Sequence, residues 1–196
     1  MAIALRASAA RRKMIMSETV QKTSPVRFYL AEQTRASHEG VDKRAEAFDL
    51  TLAEGVTQFL RFMYRGISAI EAGLDESQTA RIFPLWSERK RAAMIGAELA
   101  ETALAYSEDE ATQQALDFRS EAEVWGALYV LEGSRLGARI LVNRSELMSK
   151  SDFFQETARC RYWPEFLVQL EQADMRLDDR VGMAEGACRA FAAFPG

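Results

Sequence analysis

Residues 125–139 read Trp125-Gly126-Ala127-Leu128-Tyr129-Val130-Leu131-Glu132-Gly133-Ser134-Arg135-Leu136-Gly137-Ala138-Arg139. Gly126, Val130, Gly133, Gly137 and Ile140 recur at steps of four, three, four and three, so one face of a helix is nearly bare of side chains. A mid-helix glycine costs about 1 kcal/mol relative to alanine, and three on one face call for a reason. Bare backbone lets another object approach closely or lets the helix bend. That object is either a neighbouring helix or a ligand, and helical spacing by itself favours the helix. A second GxxxG, Gly182-Met183-Ala184-Glu185-Gly186, is assigned to packing or to a helix end.

Outward from this stretch the chain reads as helix after helix. Toward the N-terminus, Ser24-Pro25 predicts an N-cap with proline at the first helical position. Ala31, Thr34, His38, Val41, Ala45 and Phe48 then share one face. Thr51-Leu52-Ala53-Glu54 has the form of a capping box and opens a helix burying Val56, Phe59, Leu60, Met63, Ile67, Ile70 and Leu74. Ser87 is the expected cap of a helix carrying Met94, Ile95 and Leu99, and Ser107-Glu108-Asp109-Glu110 a second capping box for a helix through Leu116. The glycine-bearing helix is expected over about Glu121 to Met148, with two more near Pro164 to Ala173 and Val181 to Ala193. Neither alternating β-branched runs nor Asn-Gly or Asp-Gly turns occur. The reading is an all-α domain of about seven or eight helices over residues 24–196. Residues 1–23, basic and free of acids through Lys13, are expected to be a disordered N-terminal extension rather than a secretory signal, with Met14 or Met16 as an alternative start.

The 196 residues suit one domain with a real core. With 25 basic and 29 acidic side chains the formal charge is −4, which argues against nucleic acid as a partner. The longest uncharged run, Val124 to Leu131, is eight residues, far short of the roughly 20 that cross a bilayer. Two cysteines, Cys160 and Cys188, make no disulfide scaffold, and a reducing cytoplasm is the natural setting. They read as small buried hydrophobes.

A single histidine, His38, rules out HExxH zinc sites, three-histidine sites and paired Glu-x-x-His di-iron sites. It leaves a lone axial ligand or a lone acid/base. A lone histidine on a helix face is more often a satisfied core residue than a ligand. Its setting, with Thr34 and Arg35 one turn before it and Val41 and Asp42 one turn after, suits a flat apolar ligand with anionic edge groups. Neutral imidazole binds iron, and a guanidinium pairs with a carboxylate at the pocket mouth.

Two blocks carry a resemblance. Leu30-Ala31-Glu32-Gln33-Thr34-Arg35-Ala36-Ser37-His38-Glu39-Gly40-Val41-Asp42 resembles the proximal helix of the haem oxygenases, with its Thr-Arg/Lys-x-x-His core. Leu128-Tyr129-Val130-Leu131-Glu132-Gly133-Ser134-Arg135-Leu136-Gly137 resembles their distal helix in its bacterial form. The 95-residue spacing from His38 to Gly133 fits the order of elements, and weaker similarity runs through Phe48-Asp49-Leu50-Thr51, Phe59-Leu60, Arg161-Tyr162-Trp163 and Ala190-Phe191. The similarity is closest to the biliverdin-producing bacterial members that serve phytochromes.

The resemblance implies a haem held between a proximal and a distal helix, with His38 as the iron ligand. Gly133 and Gly137 would lay backbone over the haem, and Arg35 would pair with a propionate. Thr34, Tyr129 and Phe191 are further candidates for the haem pocket, although Trp125, Tyr129 and Phe191 read first as core. A basic residue among Arg159, Arg161 and Arg180 is a candidate helper. The implied reaction opens haem with dioxygen to biliverdin, carbon monoxide and ferrous iron. Electrons would come from an external donor such as ferredoxin or a reductase, because no flavin or nicotinamide fingerprint is present. A bacteriophytochrome is the implied user of the product. Ser134 stands where many members carry an aspartate that organises distal water, so a water held by the Ser134 hydroxyl or by an arginine is expected instead. Ala138 stands where a second adjacent glycine is common.

Three other readings compete. A haem carrier or sensor on the same fold would bind through His38 without turnover. A thiaminase-like enzyme would need a cysteine nucleophile with acidic partners, yet both cysteines are near the C-terminus with no base nearby in sequence. A purely structural helical partner would bind no hemin.

Overall fold

The computed structural model describes residues 24–102, 114–158 and 162–196. Among them every regular element is helical. The α-helices are α1 (Val26–Gln33), α2 (Arg35–Ala45), α3 (Ala53–Glu76), α4 (Trp86–Arg89), α5 (Ala92–Ala100), α6 (Glu121–Arg144), α7 (Asp152–Ala158), α8 (Tyr162–Leu177) and α9 (Arg180–Ala192). One-turn 3₁₀ helices lie at Thr79–Arg81 and Met148–Lys150. The all-α reading of about seven or eight helices agrees with this; among the described residues the single-turn α4, α7 and a break that splits the first helix in two are additional to the expected segments.

That break has a local cause. The Thr34 hydroxyl donates to the Leu30 carbonyl at 2.7 Å while its own amide donates to the same oxygen at 2.9 Å. Back-bonding of this kind bends a helix, and Thr34 leaves the helical region with φ −100° and ψ 2°. The start of α1 also differs from expectation: Pro25, not Ser24, occupies the cap position, and no side chain caps it.

Further along, Thr51 does not cap α3. Its amide and hydroxyl both donate to the Asp49 carboxylate, at 3.0 and 2.6 Å, so the turn is held one step earlier and the Asp49 carboxyl is pulled below its ordinary value. The expected helix after Ser87 is interrupted: Ser87 lies inside α4, Lys90 is extended, and α5 carries Ile95 and Leu99 inward. Leu116 lies outside any helix, while Ser107 to Glu110 and residues 1–23 lie outside the described residues.

The long helix α6 organises the rest. Ser120 caps it, its hydroxyl accepting from the Glu123 amide at 3.2 Å. Its most extensive partner is α9, and α7 and α8 pack on it as well. Phe83, Trp125 and Phe166 form one aromatic cluster of the core, and Phe59 with Phe154 another, with centroids about 6 Å apart in both. Both GxxxG glycines of α9 face α6: a Cβ on Gly186 would lie 2.0 Å from the Glu123 carbonyl oxygen, and one on Gly182 would lie 3.0 Å from the Ala122 Cβ. This second GxxxG is therefore packing, as its sequence reading assigned it.

Candidate functional site

His38 sits on α2 with 61% of its side chain exposed, so it does not occupy the buried face that the periodicity predicted. That face is only partly covered: Thr34 is buried, Val41, Ala45 and Phe48 are half-buried, and Ala31 is exposed. One side of the imidazole leans on α9, where the Phe191 ring meets it edge-on at 5.5 Å. Nδ1 lies 2.9 Å from the Asp42 carboxylate one turn further along. A carboxylate accepting from Nδ1–H fixes the tautomer whose free lone pair is on Nε2, which is the arrangement a metal-binding imidazole needs.

The glycine face of α6 divides in two. A Cβ on Gly126 would fall 1.9 Å from the Met183 carbonyl oxygen, so this glycine admits α9. Gly137 has nothing within 4 Å of its Cβ position, and Gly133 meets only the Trp163 ring at 3.8 Å. Beside them Leu136 and Ile140 are 42% and 53% exposed. Residues 133, 136, 137 and 140 share one helical face, so the C-terminal half of α6 presents an apolar strip that, among the described residues, is open except where Trp163 meets Gly133.

Position along α9 relates this strip to His38. Gly182 lies against Ala122 and Ala187 against Gly126, so α6 and α9 run side by side in the same direction. Phe191, one turn beyond Ala187, therefore lies about 5–6 Å further along, toward the half of α6 that bears Gly133. His38 on Phe191 and the strip on α6 thus flank the same end of α9. The Ser145 hydroxyl donates to the Leu50 carbonyl at 2.8 Å, which ties the end of α6 to the loop leaving α2.

Behind the strip, α6 is held by buried charge. Arg89 of α4 donates to Glu132 at 3.2 Å, Glu132 also pairs with Arg135, and Arg135 returns a bond to the Arg89 carbonyl at 2.9 Å. The Arg89 guanidinium also stacks on the Tyr162 ring at 3.8 Å. Arg91, just before α5, donates to the Leu131 carbonyl at 2.8 Å and to the Ser134 hydroxyl at 2.9 Å. Glu71 of α3 accepts from the Arg91 and Ala92 amides at 2.6 and 3.2 Å, and burial pushes its carboxyl above the ordinary value against those bonds. The sequence reading missed Arg89, Arg91 and Glu71. Their partners lie 20 to 46 residues away, beyond any helical spacing.

No protein-family model matches the chain. Over 122 residues the chain is 30% identical to haem oxygenase PigA of Pseudomonas aeruginosa, across 59% of this chain and 61% of that protein. Its fold matches the NO- and CO-bound haem oxygenase of Neisseria meningitidis with a TM-score of 0.66 and 20% identity, over 88% of this chain and 89% of the other. The chain is thus similar to bacterial haem oxygenases, in sequence over part of its length and in fold over most of it. It spans 61% of the length of the Pseudomonas relative.

In this structure the residues singled out from sequence fare unequally. His38 and Phe191 are in contact, and Gly133 and Gly137 lie on the open strip. Thr34 is buried and spends its hydroxyl on Leu30, so it presents no polar group to the site. Arg35 is exposed and paired with Glu32, one turn earlier. Tyr129 is half-buried against Trp163 at 5.9 Å, and burial raises its hydroxyl above the ordinary value. Ser134 is half-buried, its proton donated to the Leu131 carbonyl at 2.7 Å. Arg180 is bound to Asp174 at 2.6 Å and to the Ser24 carbonyl at 3.1 Å, at the junction of α8 and α9 with the start of α1. Trp125 is core. Cys188 is half-buried, not fully buried. Arg159, Cys160 and Arg161 lie outside the described residues. No cluster of three or more metal-ligating side chains exists among the described residues, and no described helix is long and apolar enough to cross a membrane.

Proposed function

We propose that this chain binds haem between α2 and α6 and opens it oxidatively to biliverdin, carbon monoxide and ferrous iron. The observation that carries the reading is the pairing of a carboxylate-anchored histidine with an uncovered glycine and aliphatic strip, both flanking one end of α9. Haem needs one protein nitrogen on iron and apolar surface on its faces, and the residues present fit both needs. Bound haem supplies the iron at which dioxygen is reduced.

The protein's part is binding, orientation and exclusion of water. His38 Nε2 holds the iron, and Asp42 keeps the imidazole in the required tautomer. Gly133 and Gly137 let backbone approach where a side chain would stand, while Leu136 and Ile140 shield the plate from water. Arg35 exchanges Glu32 for a carboxylate at the haem edge. Electrons come from an external donor such as ferredoxin or a reductase, a bacteriophytochrome takes the product, and the setting is the cytoplasm.

The test is hemin titration followed by turnover with ferredoxin and its reductase in air. A Soret band that forms, then decays as biliverdin absorption rises, supports the reading. His38→Ala should lose the histidine-ligated spectrum. One observation favours a second reading, a non-catalytic carrier or sensor: the Ser134 proton is already donated to Leu131, leaving that hydroxyl no proton for distal water. A Soret band that persists unchanged under turnover would establish the carrier instead.

A further inference from the structure

We infer that Arg91 is a positioning residue that fixes the height of the glycine segment of α6 above its ligand. The inference rests on the haem-binding reading and on the hydrogen bonds that Arg91 makes to Leu131 and Ser134. Two glycines within five residues give Gly133–Gly137 weak helix propensity, and among the described residues only the Trp163 ring, 3.8 Å from the Gly133 Cβ position, stands against either glycine. Something on the inner face must define where that backbone lies. Arg91 supplies it: one nitrogen, Nη2, bridges the Leu131 carbonyl and the Ser134 hydroxyl, one residue to each side of the Glu132–Gly133 pair.

The arginine is itself immobilised. Its side chain is buried, with 3% of the residue exposed, and its amide and that of Ala92 are held by the buried Glu71 carboxylate. The strand of contacts runs from α3 through Glu71 to Arg91 and on to the backbone of α6. Arg89 adds a second attachment through Glu132, and Arg135 closes the loop on the Arg89 carbonyl. Charge-assisted bonds from a planar, buried guanidinium fix direction as well as distance, which a flexible apolar contact does not. Ser134 consequently acts through its acceptor lone pair, as an anchor for Arg91.

The experiment compares wild type with Arg91→Ala, Arg91→Lys and Ser134→Ala. In the protein without hemin, amide hydrogen exchange across 131–137 should quicken at least tenfold in Arg91→Ala while 121–127 stays unchanged. In the ferric hemin complex, affinity for imidazole, a bulky added ligand, should rise about tenfold while affinity for cyanide changes less than threefold. Arg91→Lys should restore part of the discrimination. Ser134→Ala, which keeps the buried charge and the Leu131 bond, should shift both readouts in the same direction by less, and it serves if Arg91→Ala does not fold. Unchanged exchange across 131–137, or imidazole and cyanide affinities that move together, would overturn the inference. Failure of the wild type to bind hemin would instead overturn the haem reading, while the exchange measurement still decides whether Arg91 fixes the segment.

Discussion

At the scale of single residues, the two kinds of glycine on α6 make opposite predictions. Gly126→Ala drives a methyl group into the Met183 carbonyl, which is backbone and cannot rotate away, so helix separation should cost about 2 kcal/mol or more. Gly137→Ala meets no neighbour and should stabilise the protein by up to about 1 kcal/mol through helix propensity, while weakening hemin binding. Urea unfolding and hemin titration of both variants check this, and a Gly137→Ala protein that binds hemin as wild type does would remove the ligand from the strip. The two glycines look alike in sequence, because spacing reports which residues share a face and not what covers it. His38 illustrates the same point: its place on a face with Val41 and Ala45 was legible, its exposure was not. Glu71 carries a pH prediction. Burial raises its carboxyl above 4.5, so its contribution to stability is present below the unfolded value and is lost as pH rises through the folded one. Relative to Glu71→Gln, wild type should lose unfolding free energy as pH rises above about 4.5 in urea titrations. The opposite slope would mean that the amides of Arg91 and Ala92 outweigh burial.

At the scale of elements, helix existence was legible where capping chemistry and apolar period agree. α6 begins at the expected Glu121, because Ser120 offers its hydroxyl to Glu123 and two acidic residues stand in the first turn. Its end at Arg144, four residues short of Met148, and the break at Thr34 were not legible, since both depend on bonds that compete with the helix. Ser145 spends its hydroxyl on Leu50, and Thr34 spends its own on Leu30. Capping predicts a further outcome. Ser120→Ala should cost about 1 kcal/mol in urea unfolding and speed exchange in the first turn of α6. Hemin affinity should move less than twofold, because the strip begins three turns away. A large loss of affinity would show that the N-terminal half of α6 touches the ligand.

At the scale of the whole molecule, the candidate site joins elements whose main packing partners are other helices. α2 packs mainly on α1 and α9, and α6, itself part of the core, packs on α9, α7, α8 and α3. A plate bonded to His38 and lying under Gly133 and Gly137 would connect α2 to α6 directly, so its binding energy should appear as global stability. For a ligand present at 100 times its dissociation constant the gain is about 2.7 kcal/mol. In a chain of this size each kcal/mol moves Tm by about 2–4 °C, so saturating hemin should raise Tm by about 5–10 °C in a thermal melt. His38→Ala keeps the apolar strip and loses the bond to iron, and it should retain less than half of that increase. Exchange protection should rise with hemin in α2 and in residues 133–140 together, since neither can hold the plate alone. Protection gained in α6 without α2 would place the ligand on the strip but off His38, and the axial role of the chain's single histidine would then be wrong even if haem binds.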